Sequence, residues 1–328
     1  AASLEVDNGN VRYAPVIEMA PNQKVPLINI TAPTSGGLSH NKFFNYNVSS
    51  DGLILNNSNK TLVNTQLAGY IYGNQNLVGK DTAKVILNEV TSKNKTELRG
   101  YTEIAGDKAS VIVANPNGIY INGAGFINTS HATITTGTPI INQDTGNLEH
   151  FRVIGGDIEI DGNGLNVSNL DRASLYSQAL KLNAKLYANE LNVITGDNDI
   201  TSDGSNYTKL VSTGHHAVMS IDSTSLGGIY ANKIKLLSTK DGIGVNLPIE
   251  VTAGDNLYIN ADGQITLGTL IASNEAAITS KNESIKSDTL YAKTITLEAK
   301  EDINNQNILA SCDKITLNSG TLTNANFI

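Results

Sequence analysis

Between Val111 and Pro139 the chain alternates short apolar runs with abrupt stops: VIVA, GIYI, GFIN and ATITT, each ended by Asn, Gly or Pro. β-Branched residues favour the pleat, while Asn-Pro and Asn-Gly form turns, so this spacing predicts short strands that turn a corner and continue. Helical periodicity is scarce. Residues 81–89 and 171–188 carry some of it, yet strand-like alternation runs through both, and neither reads as a long helix. From Gly155 onward the pattern repeats loosely. LYANELNV begins at Leu186, IYANKIKL at Ile229 and LYAKTITL at Leu290, and Ile-Thr-Leu recurs at Ile265, Ile295 and Ile315. The spacings point to multiples of a unit of roughly 20 residues, the size of one coil of a β-solenoid. In LYANELNV, alternation sends Leu186, Leu191 and Val193 inward and leaves Asn189, Glu190 and Asn192 to solvent or corners.

The first third differs. Phe43, Phe44 and Tyr46 cluster between two turn-rich stretches. Aromatics gathered at one end suit a cap, because an open solenoid end exposes apolar surface and strand edges. Residues 80–101 are richer in charge and read as an excursion from the coils. No linker divides the chain into independent domains.

Composition supports an elongated rather than a compact core. Hydrophobic residues reach 40% of the 328, yet aromatics are 5% and Trp is absent. A globule of this size would use more large rings, whereas stacked aliphatic rungs do not need them. A net charge of −8 argues against nucleic acid or anionic lipid as a partner. The single cysteine, Cys312, excludes an internal disulfide framework and suits passage through an oxidising compartment. No apolar run is long enough to span a bilayer. The start, AASLEVDNG, fits a mature end left by a signal peptidase, and the finish, GTLTNANFI, stops in mid-pattern.

Candidate chemistry is thin. His215 and His216 are adjacent, so in a strand they point to opposite faces and cannot easily share a metal ion. Asp157, Glu159, Asp161 and Gly162 resemble the start of a calcium loop, but the twelfth position is Ser168 rather than Glu. A polar strand leading into the turn at 161–164 is the better reading. His131, in NTSHATITT, reads as a packed or corner histidine. Asn-x-Ser/Thr triplets such as Asn47-Val48-Ser49 and Asn206-Tyr207-Thr208 are expected by chance in so Asn-rich a chain. The enzyme alternative is a β-helical polysaccharide lyase or glycosidase. It needs acids and bases converging on neighbouring coils beside aromatic platforms, and the sequence displays no cluster of Asp, Lys and Arg at one coil phase. The expectation is a non-enzymatic module without cofactor or metal.

Three stretches in order, GLSHNKFFNYNVSSDGLILNN from Gly37, ILNEVTSKNKTELRGYTEIAG from Ile86 and ANPNGI…GFINTSHATITTG from Ala114, resemble the amino-terminal secretion domain of two-partner secretion exoproteins, the filamentous haemagglutinin family. KLNAKLYANELNVITGDNDI and SLGGIYANKIKLLSTKDGIGVN resemble the continuation seen in the CdiA exoproteins of contact-dependent growth inhibition and in large haemagglutinins and haemolysins. The resemblance implies a right-handed parallel β-helix with an N-terminal cap and small extra-helical β elements. Residues 1–250 would form the secretion domain and 251–328 the continuing coils. It also implies a monomer exported to the Gram-negative cell surface or beyond. The expected partner is an outer-membrane β-barrel transporter of the TpsB/CdiB type, whose periplasmic POTRA domains recognise this domain, with any target-cell receptor bound outside this stretch. Two family motifs go with that role. N-P-N-G-I maps unchanged onto Asn115, Pro116, Asn117, Gly118 and Ile119. N-P-N-L maps onto Asn74, Gln75, Asn76 and Leu77, its proline replaced. The C-x-x-C pair of many relatives falls on Ile121 and Ala124, so no redox role carries over. Asn-Pro-Asn-Gly is also a strong turn sequence, so these residues either contact the transporter or fix the early coils.

Overall fold

The computed structural model describes residues 3–211 and 219–324; His215 and His216 lie outside them. Among these residues the chain is a parallel β-helix built on one 27-stranded sheet, with two single-turn 3-10 helices as the only helical elements. Each coil lays strands on three faces, here called A, B and C in chain order. Leu38–Tyr46, Val85–Val90, Ala109–Ala114 and Thr129–Thr135 begin face A; Thr96–Leu98, Ile119–Ile121 and Asp157–Ile160 begin face B. Pro26–Asn29, Leu53–Asn57, Tyr101–Gly106 and Ala124–Ile127 begin face C. From Ile265 each coil becomes a nearly continuous extended run, Ile265–Ser280, Ile285–Ala299 and Asp302–Asn318.

The core is a set of vertical columns. On face C, Ala124, Leu165, Leu186, Ile229, Val251, Leu270, Leu290 and Leu309 lie in successive register, all buried. The three YA-containing echoes therefore fall on one column, and Leu191 and Val193 point inward as alternation requires. Coils sit about 4.8 Å apart, so each aliphatic side chain meets its counterpart above and below. The Ile-Thr-Leu echo is only half of this kind. Ile295 and Ile315 pair on face A, but Ile265 pairs with Val245 and Ile285 on face B. The same triplet serves two faces because both need an in-out-in pattern.

Two further expectations are corrected. Residues 80–101 are no excursion: Val85–Val90 and Thr96–Leu98 are coil strands paired to both neighbours, and their charges sit on the outward positions. The aromatic cluster is not the cap itself. Phe43 and Tyr46 lie inside the first coil, rings 5.2 Å apart edge to face, while Phe44 points partly outward. The cap is aliphatic and antiparallel: Leu4–Val6 lies along Leu38–Tyr46, and Val16–Met19 pairs with Pro26–Asn29. The buried Tyr46 hydroxyl accepts from Asn88 Nδ2 at 3.1 Å, which satisfies a polar group that the dry lumen would otherwise strand.

The true excursions cover faces from outside. A hairpin, Leu62–Thr65 with Gly69–Tyr72, packs Ile71 on Leu27, Ile54 and Ala105 of face C. A four-stranded antiparallel sheet, Thr138–Ile141, Leu148–Val153, Asn198–Thr201 and Tyr207–Lys209, packs Phe151, Val153 and Ile200 on the outward residues of face A. His131 stands half-exposed on the outside of face A, within a strand rather than in the core or at a corner.

Candidate functional site: two asparagine corners

Both family motifs fold into the same local device. Asn74 is fully buried; its side-chain oxygen accepts the Asn76 N–H at 2.8 Å, closing an Asx turn that starts the 3-10 turn Gln75–Leu77. Its amide donates to the carbonyls of Ile30 and Asn56, both at 2.9 Å. Asn115 repeats this. Its oxygen accepts the Asn117 N–H at 3.0 Å, and its amide donates to Asn94 O at 2.9 Å and Thr96 Oγ1 at 2.8 Å. Only a side chain carrying an acceptor and two donors can serve both jobs in a site closed to water, which selects Asn over Asp or Ser.

The third residue of each motif ties the corner to the preceding coil. Asn76 Nδ2 reaches Ile30 O at 3.2 Å, and Asn117 Nδ2 reaches Ser92 O at 2.8 Å. The middle residues, Gln75 and Pro116, are exposed at the tips. That explains how Gln replaces Pro at 75: the position contributes no buried contact. Gly118 takes φ +119, a conformation unfavourable to side chains, and turns the chain into face B, where Ile119 enters the core against Ile158. Leu77 is likewise fully buried.

The two corners do not form one site. Asn74 lies where face C passes to face A, Asn115 where face A passes to face B, so the pair stands on opposite edges of face A in the earliest coils. Neighbours that the motifs did not reveal complete the first corner. Asn56 donates to Asn29 Oδ1 at 2.9 Å, and Asn57 bridges Ala83 O and Asp107 O, each at 2.9 Å. Glu103, buried on face C, accepts from the N–H groups of Gln66 and Leu67, both at 2.8 Å, and so pins the covering hairpin. The only signal for these in sequence is a polar residue at an inward or covered strand position, which reads as solvent-facing until the coils are stacked.

Beside the Asn115 corner, face B carries a shallow groove of about 510 Å³ between Lys95, Tyr120, Asp157 and Lys181. Its charges are mostly spent on one another: Lys181 pairs with Asp157 at 3.2 Å, and Tyr120 donates to Asp161 at 3.1 Å. Arg99 lies over the Tyr120 ring at 4.9 Å, its pKa held above the ordinary value chiefly by its hydrogen bond to Glu97. Asp157–Ile160 is the polar strand expected, leading into the turn where Gly162 and Gly164 take positive φ. A family model, the TPS (two-partner secretion) secretion domain, matches residues 14–267, which contain both corners.

The chain belongs to the TPS secretion domain family.

Among curated relatives of this TPS domain, the 16S rRNA endonuclease CdiA of Enterobacter cloacae is 40% identical over 312 residues, 92% of this chain. The tRNA nuclease CdiA of Escherichia coli O6:K15:H31 is 40% identical over 308 residues, 91% of this chain. The TPS domain spans 9% of the length of each. The crystal structure of the filamentous hemagglutinin secretion domain superposes with a TM-score of 0.70 at 25% identity, covering 98% of this chain and 100% of that one. The TPS family role is secretion targeting, not catalysis.

One sequence reading needs correction all the same. Lys and Arg do gather on the outer side of face A, where Arg172, Glu190 and Lys233 on one column and Lys235 on the next border a single cleft. The one strongly shifted carboxyl there, Asp203, is unsuited to proton donation: hydrogen bonds from Ser205 and Thr201 hold its pKa down to about 2.

Proposed function

We propose that this chain is the secretion-targeting module of a much longer Gram-negative exoprotein, recognised in the periplasm by the POTRA domains of a cognate TpsB/CdiB-type transporter. The exported protein would reach the cell surface or the extracellular space and deliver a C-terminal toxin to neighbouring cells. Residues 1–250 would act as the targeting unit and 251–328 as the first of the continuing coils, the chain itself being a monomer. The observation that carries this reading is the pair of asparagine corners locking the first coils beneath an antiparallel cap. A solenoid must have a finished first rung before later rungs can stack. Contact-dependent growth inhibition is favoured by 40% identity to nuclease-bearing CdiA proteins; the fold match to a haemagglutinin supports an adhesin as the second reading.

The corners split the work physically. Asn74, Asn115, Asn117 and Gly118 fix the coils, while the exposed Gln75 and Pro116 are free to meet the transporter. A coil of about 20 residues, at ~0.05–0.15 kcal/mol per residue, contributes roughly 1–3 kcal/mol. Each coil completed outside would disfavour backsliding by about five- to a hundred-fold without nucleotide. The test is export of the full exoprotein through its co-expressed transporter. Pro116→Ala with normal folding should reduce binding to the isolated periplasmic domains, and Asn115→Ala should reduce export through loss of folding. Unchanged transporter binding by tip variants at both 75 and 116 would remove the direct-contact half of the proposal.

A further inference from the structure

The covering sheet leaves part of face A uncovered, and at that border lies a cleft of about 360 Å³, within the size range of small-molecule sites. Its floor is a regular array. Arg172, Glu190 and Lys233 follow one another along one outward column, and Asn192, Lys235 and Tyr258 along the next, one coil apart at each step. The turn Asp203-Gly204-Ser205 of the covering sheet overhangs it, seated against the Tyr176 hydroxyl.

Its electrostatics run against the rest of the molecule. The chain carries −8, yet this cleft gathers Arg172, Lys233 and Lys235 against Glu190 and Asp203. Asp203 already accepts hydrogen bonds from Thr201 and from the hydroxyl and N–H of Ser205. No ion pair within 4.0 Å engages Arg172, Lys233 or Lys235 among the described residues. Lys233 and Lys235 point the same way from one strand, about 7 Å apart, and repel each other unless an anion lies between them. Beside them the Asn192 side chain lies against the Tyr176 hydroxyl, its Oδ1 buried away from the cleft's solvent. Tyr258, 38% exposed, offers its ring one coil above.

An occupant that satisfies both features has a carboxylate for the lysines and an apolar ring face for Tyr258. We propose that this cleft binds an acidic sugar residue of a glycan, held by Lys233, Lys235 and Tyr258, as a recognition site separate from the asparagine corners. Neutral sugars lack the charge, and inorganic phosphate has no ring face.

Calorimetric titration of the whole chain at low ionic strength tests this, with trigalacturonate, maltotriose and inorganic phosphate as probes. Trigalacturonate should bind, weaken with added salt, and lose about tenfold or more in affinity in Lys235→Ala and in Lys233→Ala, each checked for an unchanged circular dichroism spectrum. Tyr258→Ala, which removes the exposed ring, should weaken it further while leaving phosphate unaffected. The same variants should bind the transporter's periplasmic domains normally, which separates this site from the targeting role. No heat with trigalacturonate, equal affinity for maltotriose or phosphate, or affinity indifferent to both lysine substitutions overturns the proposal.

Discussion

Asn115→Ala is the most direct measure of what the asparagine corner does. The side chain is fully buried and joins four groups: Asn94 O, Thr96 Oγ1, the Asn117 N–H and Asn117 Nδ2. After truncation Asn94 O keeps a second donor, Asn117 Nδ2 at 3.2 Å, but Thr96 Oγ1 and the Asn117 N–H lose theirs. Each buried polar group left without a partner costs about 1–3 kcal/mol, so the expected destabilisation is about 2–6 kcal/mol. Pro116 is exposed and touches nothing in the core, so Pro116→Ala should cost no more than about 1 kcal/mol, through backbone entropy alone. Urea unfolding followed by circular dichroism gives both values. Stacked coils need not unfold in one step, so hydrogen exchange over residues 92–96 and 111–121 should accompany it. Exchange there should rise in Asn115→Ala and stay unchanged in Pro116→Ala. A loss below about 1 kcal/mol for Asn115→Ala, or an equal loss for both variants, would refute the corner as a structural lock.

Leu191→Ala removes a side chain stacked between Ala173 and Ile234 in the core and should cost about 2–5 kcal/mol in the same urea assay. Glu103→Ala strands the N–H groups of Gln66 and Leu67, so limited proteolysis should cut residues 62–72 sooner while the coils stay intact. Asp203 has a folded-state pKa depressed to about 2 by donors from Ser205 and Thr201, so its contribution is present above the ordinary carboxylate value and lost as pH falls through about 2. The Ser205 amide signal should therefore hold from neutral pH to the ordinary carboxylate range and move below it, with that movement absent in Asp203→Asn.

How much of this was legible in sequence depends on how far each signal reaches along the chain. Leu186, Ile229 and Leu290 sit on one column because the same inward position recurs in the same coil phase, and a local repeat suffices to show it. The echo of Ile265 misled because an in-out-in triplet fits any face, and only pairing assigns the face. The charge of residues 80–101 misled because outward positions of a coil strand are as solvated as a loop. The asparagine corners were visible as motifs, but Asn56, Asn57 and Glu103 were not, since their burial comes from coils and a hairpin elsewhere in the chain.

Sequence alone determined the coil: its length, its aliphatic columns and its asparagine turns, since all of these follow from residues within one or two windings. Tertiary structure alone decided which outer surfaces are covered. The sheet over face A joins strands from two separate insertions, residues 138–153 and 198–209, that meet only because intervening coils bring them to the same edge. The cationic cleft beside that sheet exists for the same reason: its floor comes from stacked coils and its overhang from the insertion, and no stretch of chain contains both.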